Sequence, residues 1–179
     1  MASRVDTLIS NTIQTKTIGA TYNGNTYLKA PVVLYDQRVG LSVTGGTNVV
    51  IKTITIPANL MGTDGDTIEV DIEGNGNGAG TTRNISISIN GTGYEGFNLN
   101  TGQGNMWRMC MSLSRSGASN CDVNGFACHF TTATTFGNVN KGMTTAFTST
   151  GSINIRTTST TTGDILVQSI RAVYYPAQA

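Results

Sequence analysis

Between residues 67 and 89 the chain alternates twice, TIEVDIE and then NISISIN, with an isoleucine or valine at every second position. A period of two belongs to a strand, because successive side chains leave opposite faces of an extended backbone. In the first run Ile68, Val70 and Ile72 share one face and Glu69, Asp71 and Glu73 the other; in the second, Ile85, Ile87 and Ile89 oppose Ser86 and Ser88. The signal recurs in KTITI (Ile54, Ile56), in MWRMCMSLS (Trp107, Met109, Met111, Leu113 against Arg108, Cys110, Ser112) and in SINIRT (Ile153, Ile155). DILVQSIRAVYYP alternates only in part, which predicts a bulge or burial on both faces. PVVLYDQRVGLSV reads as two short strands around Asp36–Gln37.

Turn chemistry punctuates these runs at Thr44-Gly-Gly, Asn59 to Gly65, Glu73 to Gly80, Asn90-Gly-Thr-Gly, Thr101 to Asn105, Gly117 to Asn124, Asn138 to Gly142 and Thr160 to Asp164. The spacing, about one strand per eight to twelve residues, is that of an all-β sandwich. Each strand is apolar on one side only, so two antiparallel sheets must stack to hide their isoleucines. The expected fold is an all-β, antiparallel, jelly-roll-like β-sandwich over residues 31–179, preceded by an extended N-terminal arm over 1–30. Within the arm Val5, Ile9 and Ile13 repeat every four residues, and Tyr22 and Tyr27 flank an Asn-Gly-Asn that suits a hairpin. A polar arm of this kind holds its order only against a partner or a sister subunit.

The polar faces carry Ser, Thr and Asn more than Lys and Glu. Charged residues are 12% of the 179 and the net charge is +1, against roughly 25% charged in ordinary soluble domains. A near-neutral chain without a Lys/Arg cluster gives no electrostatic grip on nucleic acid. No run approaches the roughly 18 apolar residues of a membrane span, so neither nucleic acid nor membrane is an expected partner. Short uncharged polar side chains order at low entropy cost, and edges without charge pair readily with neighbours. Both suit an assembling component. The opening MASRVDTLISNTIQTKT lacks the apolar stretch of a signal peptide, so the expectation is synthesis in a reducing cytoplasm. Three cysteines, an odd number, fit free thiols; the alternative is a Cys121–Cys128 hairpin bridge formed after release.

Catalytic and ligand constellations are sparse. Asp64-Gly-Asp66 lies in the connection entering TIEVDIE. It reads as a tight turn, Gly for a positive φ and Asp for local side-chain-to-backbone bonds; a calcium site is the alternative, although the ligand spacing of an EF-hand is not met. His129 is the single histidine and follows Cys128 directly. Neighbours on a strand face opposite ways, so the two do not share a metal. No nucleophile elbow or phosphate-binding loop is present, and GNGNGAG lacks the Lys of a P-loop. Two carboxylates from different strands, such as Glu95 and Asp122, would be needed for glycoside hydrolysis. Trp107 is in register with core methionines. Candidates for sugar stacking are Tyr94, Tyr174, Tyr175 and Phe97, the last beside Asn98 and Asn100. The reading is non-enzymatic, with no cofactor and no resident metal.

The stretch VVIKTITIPANLMGTDGDTIEVDIEGNGNGAG, continued by RNISISING, resembles a segment that recurs in structural proteins of tailed bacteriophages. There an apolar strand ends in I-P-A-N, a loop of the form L/M-G-T-x-G follows, and a second alternating strand leads to a Gly/Asn-rich hairpin. The matching positions are Ile56, Pro57, Ala58, Asn59, Met61, Gly62, Thr63 and Gly65. The likeness is clearest over residues 49–91 and extends more loosely to about 175. It implies a jelly-roll-like sandwich, commonly trimeric, of the kind found in fibres, tailspike-associated modules and capsid-decorating proteins. It implies no catalytic residue, because the matched positions shape a loop. The expected role is a virion decoration or cement protein, homotrimeric, assembled in the host cytoplasm beside other virion proteins such as the major capsid protein. The alternative is a fibre-head module that binds a host surface glycan through Tyr94, Phe97, Asn98 and Asn100. An arm of about 30 residues without heptads is too short for a long fibre shaft.

Overall fold

The structure is a computed structural model. It describes residues 21–22, 25–26, 30–38, 40–76, 83–93, 97–99, 105–129, 137–144 and 149–177. Among these residues no helix occurs. Fourteen strands run in chain order: β1 Thr21–Tyr22, β2 Asn25–Thr26, β3 Val32–Gln37, β4 Leu41–Ser42, β5 Gly46–Ile56, β6 Thr67–Gly76, β7 Arg83–Ile89, β8 Thr92–Gly93, β9 Phe97–Asn98, β10 Asn105–Gly117, β11 Asn120–His129, β12 Gly137–Thr144, β13 Gly151–Ser159 and β14 Ile165–Tyr175.

One seven-stranded sheet has the order β12-β11-β10-β6-β14-β3, with β4 also on β14; a five-stranded sheet has the order β5-β13-β7-β8, with β9 also on β7. All pairs are antiparallel. The chain changes sheet at β4→β5, β5→β6, β6→β7, β9→β10, β12→β13 and β13→β14. Strands swapping between two facing sheets make the jelly-roll type of sandwich, so the fold expected from the alternation is the fold observed. β1 pairs with β2 as a small hairpin around residues 23–24, in line with the Asn-Gly-Asn expectation; the Val5, Ile9 and Ile13 repeat lies outside the described residues.

The alternation decides which residues are buried. Ile68, Val70 and Ile72 of β6, Ile85, Ile87 and Ile89 of β7, Trp107, Met109, Met111 and Leu113 of β10, and Ile153 and Ile155 of β13 all join one core. At about 1.5–3 kcal/mol per large side chain removed from water, this set supplies the main drive for folding. Gln168 is the bulged residue expected in β14, since Val167 pairs with Gly74 and Ser169 with Glu73. Beyond it Ala172, Val173 and Tyr174 are buried in succession, so the strand is covered on both faces there.

Several local readings need correction. Asn138 to Gly142 is not a turn but part of β12, with Asn138 opposite Phe126 and Asn140 opposite Asn124. The ladder with β11 runs the length of β12 along one side, and that overrides the weak strand preference of Asn and Gly. The turn after β10 is only Ala118–Ser119, and Asn120 to Asn124 are already strand. β6 likewise runs on to Gly76, beyond the Glu73 at which a turn was expected. β3 continues through Asp36 and Gln37, so the break lies after them. Ser88, expected on the wet side of β7, is buried.

Candidate functional site on the outer face of the seven-stranded sheet

The same alternation that buries isoleucines sends every other side chain of β6, β10 and β11 outward. Asp36, Arg171, Asp71, Cys110 and Phe126 form one row across β3, β14, β6, β10 and β11 through direct pairing. The next row runs Val173, Glu69, Ser112 and Asn124. A third runs Ser169, Glu73, Arg108 and Cys128.

Side-chain length then shapes the surface. β10 contributes the short Cys110 and Ser112, whereas the flanking strands contribute Glu69 and Asp71 on one side and Asn124 and Phe126 on the other. The result is a trough of about 730 Å³ along β10, with Arg108 at one end. At Gly125 an added Cβ would come within 2.8 Å of the Cys110 carbonyl oxygen, so β11 approaches β10 closely beside the trough. Phe126 is 49% exposed. Farther along β10 the Thr67 and Ser114 hydroxyls are 3.0 Å apart and tie β6 to β10.

The charges on this face are largely paired within it. Arg108 donates from Nε to Asp71 Oδ1 at 2.8 Å and from its Nη2 to Asp71 Oδ2, and the Cys110 thiol donates to Asp71 Oδ1 at 3.3 Å. Partial burial alone would raise the Asp71 carboxyl; the hydrogen bonds from Arg108 and Cys110 and the Arg108 charge outweigh it and hold the group below its usual range. Burial, then the hydrogen bond to Asp71 and its negative charge, push the Cys110 thiol up to about 12. It is therefore a poor nucleophile at neutral pH. Ser169 donates to Glu73 at 2.8 Å. A smaller cleft of about 320 Å³ adjoins the trough, lined by Asp36, Arg38, Glu73, Gln168 and Arg171 among others.

The Asp64-Gly-Asp66 stretch is a turn, with Gly65 at φ 93°. Asp66 is 1% exposed and its two oxygens accept from Thr63 N–H and Ala177 N–H, each at 2.8 Å. Asp64 receives Arg115 Nε at 3.0 Å, and Arg115 Nη1 donates to Met61 O at 2.6 Å. Both Asp66 oxygens are thus taken by backbone amides and Asp64 Oδ1 by a guanidinium. Asn59, in the stretch that resembles the phage segment, has φ 58° and Met61 is fully buried, so these positions set a chain reversal.

Tyr174 is 8% exposed and is removed from the sugar-stacking candidates by burial, which together with Asp66 raises its hydroxyl well above the usual value. Phe97 and Asn98 form β9, paired with Ile85 and Asn84 at the margin of the five-stranded sheet. Tyr94, Asn100 and Glu95 lie outside the described residues. Asp122 is exposed on β11. Cys121 and Cys128 both belong to β11, which holds them about 23 Å apart at strand rise and excludes the hairpin bridge. His129 closes β11 opposite Trp107. The trough residues Phe126 and Asn124 escaped notice because "VNG" reads as a turn. The usable signal was Cys121, Val123 and Ala127 alternating with Asp122, Asn124 and Phe126.

No protein-family model matches the sequence, and no curated protein matches it. Among solved structures the chain is similar to the VP2 subviral particle of infectious bursal disease virus, at 14% identity and TM-score 0.34, over 84% of this chain and 34% of that one. It is similar to the Gx strain of the same virus at 13% identity and TM-score 0.34, over 84% and 35%. It is also similar to the CBM2 module of the evolved Dit of Lactobacillus casei BL23 phage J-1, at 12% identity and TM-score 0.27, over 71% and 70%. The chain thus spans about a third of the length of the two viral chains. Its strand pairing makes this chain an antiparallel two-sheet β-sandwich.

Proposed function

We propose that this chain is a non-enzymatic structural component of a bacteriophage virion that works as a homotrimer and decorates or cements the capsid shell. The observation that carries the reading is the way surface polar groups are spent on one another. On the seven-stranded sheet, Asp71 binds Arg108 and Glu73 binds Ser169. On the five-stranded sheet, Thr53 Oγ1 donates to Asn154 at 2.7 Å and Asn48 N–H to Thr158 Oγ1 at 3.0 Å. A catalytic cleft needs a base or nucleophile poised near neutral pH, whereas the shifted groups here, Asp71 and Cys110, are held ionised and protonated respectively. These faces instead present polar groups largely paired with one another, which lose little entropy on packing against a neighbour. The phage-like loop of residues 56–65 points to the same setting. Residues 1–30 serve in this reading as the arm that docks on a sister subunit or on the major capsid protein, and the chain reaches the virion from the host cytoplasm.

Sedimentation of the purified full-length chain tests the oligomer, with a trimer expected. Mass spectrometry and imaging of native particles test the place, with copies expected on the shell. Removal of residues 1–30 is expected to leave the sandwich folded and to stop incorporation. A chain that stays monomeric at high concentration and is missing from particles sinks the reading.

A further inference from the structure

We infer that the trough along β10 is a binding site for a neutral oligosaccharide, with Phe126 as its stacking platform. Phe126 stands half-exposed on the outer face of β11, one strand in from the sheet edge, beside the polar side chains of Ser112, Asn124 and Asp71. The trough is narrow. Its walls rise from β6 and β11, two strand spacings apart, about 10 Å backbone to backbone. A helix, 10–12 Å across with its side chains, does not enter such a channel, and an added peptide strand needs a sheet edge, not a face. A chain one sugar ring wide fits.

The chemistry of the lining agrees. Ser112, Asn124 and Glu69 offer a hydroxyl, an amide and a carboxylate to ligand hydroxyls, and Phe126 offers a flat apolar face to the C–H side of a pyranose. The positive charge at the site, Arg108, is already satisfied bidentately by Asp71. Glu69 therefore leaves the lining acidic on balance, and sialylated or phosphorylated glycans are repelled. The site differs in place from the one read from the sequence at residues 94–100, and it does not depend on the structural role, since a shell protein with a blank trough is still a shell protein.

The full-length chain is screened against neutral hexose and N-acetylhexosamine oligosaccharides beside sialylated and phosphorylated ones, and the best neutral probe is titrated by calorimetry. Phe126→Ala is expected to raise Kd by about tenfold with an unchanged melting temperature. Ser112→Phe, which fills the floor, is expected to abolish binding, and Phe97→Ala to leave it intact. Retention of no neutral glycan overturns the inference, as does a preference for anionic ones. So does loss of binding in Phe97→Ala with none in Phe126→Ala. If Phe126→Ala instead turns an oligomer into monomers while no glycan binds, the trough is a subunit contact and the inference fails.

Discussion

At the scale of single residues, Gly74 and Asp66 carry the tightest constraints. Gly74 pairs with Trp107 on one side and with Val167, at the bulge of β14, on the other. A Cβ added there would meet the Leu166 carbonyl oxygen and come within 2.5 Å of Trp107 Cζ2. Gly74→Ala is thus expected to cost about 3 kcal/mol in denaturant unfolding, the upper range for overpacking. Asp66→Ala leaves the Thr63 and Ala177 amides without their acceptor and is expected to cost about 2–3 kcal/mol. The same Asp with its Gly was legible in the sequence as a turn, because Gly at positive φ and Asp beside it have a local cause. That Asp66 would reach Ala177 was not, because 111 residues separate them.

At the scale of elements, the strands held where one face is wet and the other dry. They were misread where Gly and Asn run through them, as in β12 and the start of β11, since a strand held in register by a paired neighbour tolerates residues that strand preference disfavours. Register, fixed by pairing, also decides the thiols. With Cys121 and Cys128 on one strand, the native protein is expected to show no intramolecular disulfide by non-reducing mass analysis and no change in melting temperature on reduction. The two sheets are fastened along one side, where Lys52 Nζ of β5 lies 3.8 Å from the ring centroid of Tyr35 in β3. Lys52→Ala is expected to cost about 0.5–1 kcal/mol. It should speed amide exchange in β3 while leaving β6, at the centre of its sheet, unchanged.

At the scale of the whole molecule, one core couples both sheets, so a group held neutral in it, as Cys121 is, or half-buried on the sheet that covers it, as Cys110 is, bears on global stability. Burial pushes the Cys121 thiol up to about 11 and, with Asp71, the Cys110 thiol up to about 12, from an ordinary 9.0. The folded chain keeps these protons above the pH at which the unfolded chain releases them. Their contribution is therefore complete below about pH 9 and is lost as pH rises from 9.0 towards 11 and 12. Melting temperature is expected to fall over that alkaline range. Cys110→Ser and Cys121→Ala together should flatten the fall, and a curve unaltered by them would remove the thiols as its cause. At pH 8, alkylation of Cys110 and Cys121 should be slow in the folded chain and fast in denaturant.

The sequence by itself determined that this chain is a sandwich and which residues fill it, because alternation is a local property and a one-sided strand has no other way to leave water. The tertiary structure alone decided which strands are neighbours. That choice placed short Cys110 and Ser112 between longer side chains from β6 and β11 and so made a trough. It also set Asp71 beside Arg108, 37 positions away along the chain. Such juxtapositions follow from pairing between distant segments, which no local pattern encodes.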